Sequence, residues 1–517
     1  MNLRYLNWVR RERQRLLPSR PTFTVLFAVM LIFITDSIPG ESTPIPYFIS
    51  IIASLIAIIP PATGEIKKPF KPTQRAKRLL SLSYIIPTLT TLSIFLIFIQ
   101  RIESQNSKYI AILVSLSGLL LFLLAPVLLV LANILIQPVE RYLRQQYRKR
   151  AQHTLELIKP KIIGITGSYG KTTTKNFLAH ILSSRYRTYA TPKSYNTVMG
   201  ICLAINTDLV DDYSIEYFIS EMGAYIPGEI EQICKLTPPD ISIMTELGPQ
   251  HLERFGSLEN IAKAKYEIIQ ALPPSGLAVF NWDNPYLREM YERNYPENRI
   301  AVSKTLLLDA LPENPPRFIA SNITETLDGI QFTFNDLSTN ESCLFETSIV
   351  GEHNINNILL AAAVARYEGL SILEIASRVR NLQAPDSRLV KEITSQGITI
   401  INDAYSSNPV GAISALKVLG MHKNGKRLLI TPGMIELGDL EDQENFNLGV
   451  QATQYATDII LVGKKQTASL KAGIQSTQFD TTHLKVVDSL QEAINDYQQS
   501  LSTGDTVLFL NDLPDTY

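Results

Sequence analysis

Residues Gly164 to Lys175, GITGSYGKTTTK, combine glycines, a lysine and hydroxyls at the spacing of a phosphate cradle. The long form of such a loop, G-x-x-x-x-G-K-[ST], needs Gly six residues before the lysine, and Ile165 stands there instead. The shorter G-x-x-G-K-T remains, as Gly167, Gly170, Lys171 and Thr172. Glycines let backbone N–H groups approach phosphate, a helix N-terminus favours negative charge, and Lys171 adds a cation. Thr172 can place its hydroxyl on Mg²⁺. A plain glycine turn with a surface lysine is the bland alternative. It fits poorly, because the apolar run IIGIT enters the turn and the helical pattern TTTKNFLAHIL leaves it.

A second chemical signal lies in LENIAKAKYEIIQ. A helix over Leu258–Gln270 puts Leu258, Ile261, Ala262, Ile268 and Ile269 on one stripe. Lys265 falls within that stripe, while Lys263 and Glu267 fall on the opposite face. A lysine on a buried face is costly unless paired or chemically changed. It can snorkel its amine to water. Alternatively, a desolvated neutral amine reacts with CO₂, and the resulting carbamate is an anionic metal ligand. His251, just upstream, is a loop histidine on its own and a candidate ligand beside such a carbamate.

Elements that would position these groups follow from the pattern beyond residue 160. Strands are expected at Ile162–Thr166, Tyr217–Ser220, Ile241–Thr245, Ala278–Phe280, Ile398–Ile401, Leu428–Thr431, Ile459–Val462 and Val507–Leu510. Their alternation with helical patterns predicts doubly wound parallel sheets, whose ligands bind beyond the carboxyl ends of the strands. The glycine loop, Glu221, His251 and Asp403 all fall at such ends. A boundary is expected around Ala384–Ser387.

The first third reads differently. Apolar runs at Thr22–Ile38, Ile45–Pro61, Leu79–Ile99 and Tyr109–Ile136 suggest four membrane spans, the first two marginal in length. A cleaved secretory signal fits less well, since three more runs follow the first. Basic residues cluster before the first run, between the second and third, and after the fourth. That alternation places both termini and the catalytic body in the cytoplasm, at the plasma membrane. Residues 1–150 hold 19 Lys+Arg against 6 Asp+Glu, leaving 29 against 43 for the remainder. An acidic body argues against nucleic acid as a partner. Three widely spaced cysteines, Cys202, Cys234 and Cys343, suit a reducing compartment better than a disulfide framework.

With these residues in view, the chain from about 155 to 510 resembles the Mur ligase family, ATP-dependent amide-forming enzymes of peptidoglycan synthesis. Within it the resemblance is nearest to MurF-type ligases, which join D-alanyl-D-alanine to UDP-N-acetylmuramoyl-tripeptide. That family uses the short cradle, so the resemblance implies that Gly167, Ser168, Gly170, Lys171, Thr172 and Thr173 hold ATP, with Thr172 on Mg²⁺. SYNTVMG at Ser194–Gly200 is similar to the segment touching the muramoyl substrate, implicating Asn196 and Thr197. EMGA implies that Glu221 binds magnesium. HLERFGSLENIAKAKYEI implies a second magnesium on His251 and a carbamylated Lys265. GEHNINN points to Asn354 and Asn357 at the adenine, and SRL to Arg388 at ATP. INDAYSSNP gives Asp403 a ribose role and Asn408 a place near the amine substrate. GMIELGD at Gly433–Asp439 resembles a further loop of the C-terminal domain.

The sequence departs from the family in three places. No stretch resembles its N-terminal UDP-binding domain, LNDLPDTY stands in place of its late K-G-S-R, and Ser406 and Ser407 replace Asn and Ala. The expected architecture is therefore a four-helix transmembrane anchor over 1–150, a P-loop-type central ATPase domain over 151–385 and a Rossmann-like C-terminal domain over 386–517. The expected activity is an ATP- and Mg²⁺-dependent amide ligase working through an acyl phosphate, with Lys171, Lys265, His251 and Asn408 closest to the chemistry. Its partners are a small-molecule or lipid-linked acid, an amino acid or dipeptide, and the membrane. Alternatives are a membrane ligase for another acid, such as a lipid-linked muropeptide or poly-amino-acid, or a non-catalytic nucleotide-binding membrane scaffold.

Overall fold

In the computed structural model, residues 19–36, 45–58, 73–101, 107–192, 195–385, 388–404 and 408–511 are described. The chain divides into two units, Met1–Gln146 and Tyr147–Tyr517.

The second unit is built on two sheets. The first holds nine strands: β1 (Lys161–Thr166), β2 (Thr188–Ala190), β3 (Tyr217–Glu221), β4 (Ile241–Met244), β5 (Leu277–Asn281), β6 (Arg299–Ser303), β7 (Phe318–Thr326), β8 (Gly329–Asp336) and β9 (Glu341–Thr347). Their spatial order is β2-β3-β1-β4-β5-β6-β7-β8-β9. Pairing is parallel from β2 to β7 and antiparallel from β7 to β9. The chain leaves β1 to one side and returns to the other, so β1 sits at the switch point where open α/β sheets place their ligands.

Strands β1, β3, β4 and β5 are buried on both faces, as parallel strands with helices on either side must be. Ile163 and Ile165 pack with Phe177, Leu178 and the enclosed helix Asn354–Tyr367. Ile162, Phe218 and Met244 pack with Ile268 and Ile269 of helix Leu258–Gln270. That second helix lies very close to β1, because a Cβ on Gly164 would come within 2.8 Å of Ile268 Cδ1. The same helix carries Lys265, near enough to Lys171 and Glu221 to interact with both electrostatically.

The second sheet comprises β10 (Val390–Ile393), β11 (Thr399–Asp403), β12 (Arg427–Thr431), β13 (Asp458–Val462), β14 (Leu484–Val487) and β15 (Thr506–Leu510). Its order is β10-β11-β15-β12-β13-β14, parallel except where β10 meets β11. Every expected strand is present, within two residues at each end. Strands β2, β6 to β10 and β14 were not foreseen. The β7–β9 meander has no helices between its strands, so it lacks the alternation used to find the others. It is held instead by stacked Phe318, Phe334 and Phe345, with ring centroids 5.1 and 4.7 Å apart.

The first unit contains helices Ser19–Asp36, Ile45–Ile58 and Gln74–Arg101, and most of Ser107–Ile158. Among the described residues no helix is long and apolar enough to cross a membrane. This overturns the expected four-helix transmembrane segment, and with it the assignment to the plasma membrane. The first two helices have 18 and 14 residues. At ~1.5 Å per residue they reach about 27 and 21 Å, short of a hydrocarbon core of ~30 Å. The third carries Arg75, Lys77 and Arg78 in its first turns and hydroxyls from Ser81 to Ser93, two of them, Ser83 and Thr88, bonded back to helix carbonyls. Much of the fourth apolar run, within 109–136, lies outside the described side chains. So do the basic groups Arg4–Arg15 and Lys67–Lys71, the substituted Ser406 and Ser407, and Asp512–Tyr517.

Candidate active site

The loop after β1 turns at two glycines with left-handed backbone, Gly167 (φ 151°) and Gly170 (φ 79°). A Cβ on Gly170 would lie 2.5 Å from Asn357 Oδ1, and one on Gly167 would lie 2.1 Å from Thr245 Oγ1. Helix Lys171–Leu182 starts at Gly170 with no side-chain cap, which leaves its first N–H groups available to an anion. Ser168 fixes the loop by exchanging hydrogen bonds with Gly248, donating to its carbonyl (3.0 Å) and accepting from its N–H (3.1 Å). Lys171 Nζ folds over the loop, donating to the carbonyls of Gly167 (2.7 Å) and Ser168 (2.9 Å). Burial lowers its pKa to about 8, with Glu221 opposing and Arg388 reinforcing the shift. Thr173 is buried and lines the adjoining cleft.

At the end of β3, Glu221 gathers the neighbouring groups. Its Oε2 accepts from Thr172 Oγ1 at 2.9 Å and from Lys175 Nζ at 3.1 Å, and its Oε1 accepts from Asn196 Nδ2 at 3.3 Å. Arg388, from the segment leading into β10, donates to Thr172 Oγ1 at 3.3 Å. Lys175 is almost fully buried (1 %), and burial holds its pKa below the ordinary lysine value. Thr197 has a local task, capping helix Val198–Asp208 by accepting from Gly200 N–H.

Helix Leu258–Gln270 forms as expected, capped by Ser257. Lys265 is 4 % exposed, whereas Lys263 faces solvent. Burial drives the Lys265 amine well below its usual pKa, and repulsion from Lys171 adds to the shift. His251 adopts a left-handed conformation (φ 58°), and its Nδ1 lies 2.5 Å from Glu436 Oε2. Burial lowers its pKa against the pull of Glu436.

A cleft runs from this loop towards the second sheet, lined by Asn354, Asn357, Arg388, Asp403 and Asn408 among others. Thr174 donates to Asn357, Asn357 to Asn354, and Asn354 to the Val350 carbonyl, tying the cradle helix to helix Asn354–Tyr367. Asp403, at the end of β11, accepts from Leu389 N–H at 3.1 Å. Asn408 caps helix Pro409–Met421 by accepting from Gly411 N–H at 2.7 Å. Glu246 also lines the cleft, held by Asn281 and Asn284, and burial raises its pKa to about 7.

The structure thus groups Gly167, Ser168, Gly170, Lys171, Thr172, Thr173, Glu221, Asn196 and Arg388 around one turn. Lys265 and His251 lie close enough to it for Lys171 to act on both electrostatically, and Asn354, Asn357, Asp403 and Asn408 line the cleft. Sequence reading gave no role to Lys175, Glu246 or Glu436. Lys175 was detectable, since its i+4 offset from Lys171 keeps it on the same helix face. Glu246 and Glu436 are loop residues whose contacts lie far away in sequence, and no periodicity marks them.

The residues present suit a nucleotide phosphate, because glycines shape the cradle and the helix start is uncapped. Magnesium also fits, through hydroxyl and carboxylate oxygens. Among the described residues no cluster of three or more His, Cys, Asp or Glu could hold a metal by itself. An ion here would therefore take phosphate and water ligands as well, which is how Mg²⁺ is usually held.

A glycine cradle at a sheet switch point, approached by an arginine from the segment leading into a second sheet, is the arrangement of an α/β nucleotide-dependent protein. The model of the Mur ligase middle domain matches residues 165–365, and that of the Mur ligase glutamate ligase domain matches 388–511. UDP-N-acetylmuramoyl-tripeptide–D-alanyl-D-alanine ligase of Escherichia coli (strain K12) is 30% identical over 343 residues, 66% of this chain and 73% of that protein. Its Bacillus subtilis (strain 168) counterpart is 28% identical over 360 residues, 69% and 74% of the two chains. A crystal structure of MurF from Acinetobacter baumannii aligns with a TM-score of 0.61 at 26% identity, covering 71% of this chain and 77% of that one. The chain belongs to the Mur ligase family, ATP-dependent ligases that form amide bonds in peptidoglycan-precursor synthesis.

Proposed function

We propose that this chain catalyses the MurF-type reaction, joining D-alanyl-D-alanine to a UDP-N-acetylmuramoyl-tripeptide at the expense of ATP. The observation that carries the reading is the convergence of Lys171, Thr172 and Glu221 on one turn, with a buried Lys265 beside them. A ligase of this kind must bring two anions together, a carboxylate and a triphosphate, so positive charge has to sit between them.

Lys171 and the uncapped helix start would neutralise the terminal phosphates, and Arg388 would approach them from the second sheet. Thr172 and Glu221 would hold one magnesium ion. The desolvated Lys265 amine would attack CO₂, form an N–C bond and release a proton to solvent. The resulting carbamate, with His251, would hold a second ion. Bound magnesium supplies charge neutralisation at the phosphates and the incoming carboxylate. A carboxylate oxygen attacks the γ-phosphorus and ADP leaves, giving an acyl phosphate. The free amine attacks the acyl carbon, phosphate departs, and the ammonium proton passes to solvent. Asp403 would take the ribose, Asn354 and Asn357 the base, and Asn196 and Thr197 the muramoyl substrate. Asn408, already a helix cap, would lie near the amine.

ADP release decides the matter. The expected result is release that needs both the UDP-linked tripeptide and D-alanyl-D-alanine, with the amide product seen by mass spectrometry. Release with a different acid, and none with this one, would overturn the substrate assignment.

A further inference from the structure

We propose that Glu436, on the loop after β12 of the second sheet, is the positioning residue that fixes His251 as a metal ligand. The inference rests on the reading of His251 given above. An imidazole that binds a metal through one ring nitrogen almost always gives its other N–H to a carboxylate, carbonyl or water, which sets the tautomer and the ring orientation. Glu436 Oε2 lies 2.5 Å from His251 Nδ1. Accepting the Nδ1 proton leaves the Nε2 lone pair free to bind an ion.

The contact is built rather than incidental. Glu436 Oε1 lies 3.6 Å from Arg254 Nη2, the Arg254 guanidinium sits 4.5 Å over the Tyr225 ring, and that ring lies 4.7 Å from the His251 ring. His251 and Arg254, which follow β4 of the first sheet, therefore flank one carboxylate from the second, and Tyr225, which follows β3, packs against both. Both partners hold left-handed backbone, Glu436 at φ 62° and His251 at φ 58°. Gly438 supplies a further left-handed turn (φ 58°) where the loop lies beside Glu253. At its base the loop is pinned by Asn445, 2 % exposed, which accepts from Met434 N–H and donates to the Met434 carbonyl, both at 2.8 Å. A rim ion pair needs none of this. A carboxylate that must hold a ring in one orientation does. The consequence is that the His251 metal site is complete only when the second sheet's loop is seated, which ties metal binding to the arrangement of the two sheets.

The test is Mn²⁺ titration of the full chain with ADP present, followed by electron paramagnetic resonance of free Mn²⁺. Glu436→Ala should weaken the weaker class of Mn²⁺ site by about 10–100-fold and leave ADP affinity within about twofold. Glu436→Gln, which keeps an acceptor oxygen, should recover most of that loss. Arg254→Ala removes the cation beside the carboxylate without touching the ring, and should weaken Mn²⁺ binding far less than Glu436→Ala does. An equal loss in Arg254→Ala would reduce Glu436 to an interface residue and overturn the proposal. Tighter Mn²⁺ binding in Glu436→Ala would also overturn it, by making the carboxylate a competitor for the ring. The control is His251→Ala. If it loses the weaker site while Glu436→Ala does not, this inference alone fails; if neither loses it, the metal role of His251 falls as well.

Discussion

A lysine amine inside a protein is expensive, and Lys265 is 4 % exposed. Its helix offers a solvent-facing alternative two residues earlier, at Lys263, so burial here is a matter of face rather than reach. Lys265→Ala should lower kcat/KM by at least about 100-fold, the scale of losing one preorganised charged contact, and short carboxylates should restore part of it. Lys263→Ala should be nearly silent. Equal losses in steady-state assays of the two variants would refute the carbamate role. His353 supplies a separate prediction at this scale. Burial, reinforced by Lys304 and Arg388, lowers its pKa from 6.5 to about 4, and its Nδ1 lies 2.9 Å from Ser414 Oγ. Between pH 6.5 and 4 the unfolded chain takes up a proton at His353 that the folded chain does not. Stability contributed here is therefore present above pH 6.5, is lost as pH falls, and levels off below about 4, amounting to at most about 3 kcal/mol. Denaturant titrations of His353→Gln at pH 7 and pH 4.5 should show a smaller difference than the wild type.

At the scale of the element, the loop after β1 works because its backbone can do what side chains forbid. Gly170 needs φ 79° and has Asn357 Oδ1 within 2.5 Å of a would-be Cβ. Gly170→Ala is expected to cost about 1–3 kcal/mol of strain and to weaken ADP binding by at least about tenfold, measured by calorimetry. Full ADP affinity in that variant would mean the phosphates lie elsewhere. The same logic explains Gly164. Its missing side chain lets helix Leu258–Gln270 settle onto β1, so the position of Lys265 depends on a glycine in a neighbouring strand. A Gly164→Val variant should therefore damage Lys265 function as well as stability, and carboxylate rescue should fail there because the helix itself has moved.

On the scale of the whole second unit, two sheets share one cleft. Arg388 reaches Thr172 and Glu436 reaches His251, so under the proposed reading nucleotide or metal bound at the first sheet would also be felt by the second. ADP at a hundredfold its Kd should stabilise the unit by about 2.7 kcal/mol and raise one cooperative melting transition. Two transitions in calorimetry, with ADP shifting just one, would show that the sheets bind independently. Arg388→Ala should reduce that ADP-dependent gain, seen as a smaller rise of the melting temperature on adding ADP than in the wild type.

What the sequence determined by itself is whatever depends on near neighbours. The cradle is one continuous turn, so Gly167, Gly170, Lys171 and Thr172 could be read directly, and the face of Lys265 followed from helical period alone. Eight of the doubly wound strands were legible because each is a short aliphatic run between helical patterns, whereas β2, β6 and β14 were not. The β7–β9 meander was not, since its stability comes from rings that meet across strands. The apolar runs of the first third misled for a related reason. Composition indicates that a segment is apolar, but whether one helix is both long and apolar enough to span a bilayer depends on where it starts and stops and on the polar residues it takes in, as the third takes in Arg75, Lys77 and Arg78. Tertiary structure alone decided that Lys175 pairs with Glu221, that Glu246 sits between two asparagines, and that Glu436 meets His251. Those contacts join residues 46, 35 and 185 positions apart. No local pattern encodes such distances. The first two exist because strands distant in sequence are neighbours in one sheet, β3 beside β1 and β4 beside β5, and the third because the loops beyond β4 and β12 bring the two sheets together.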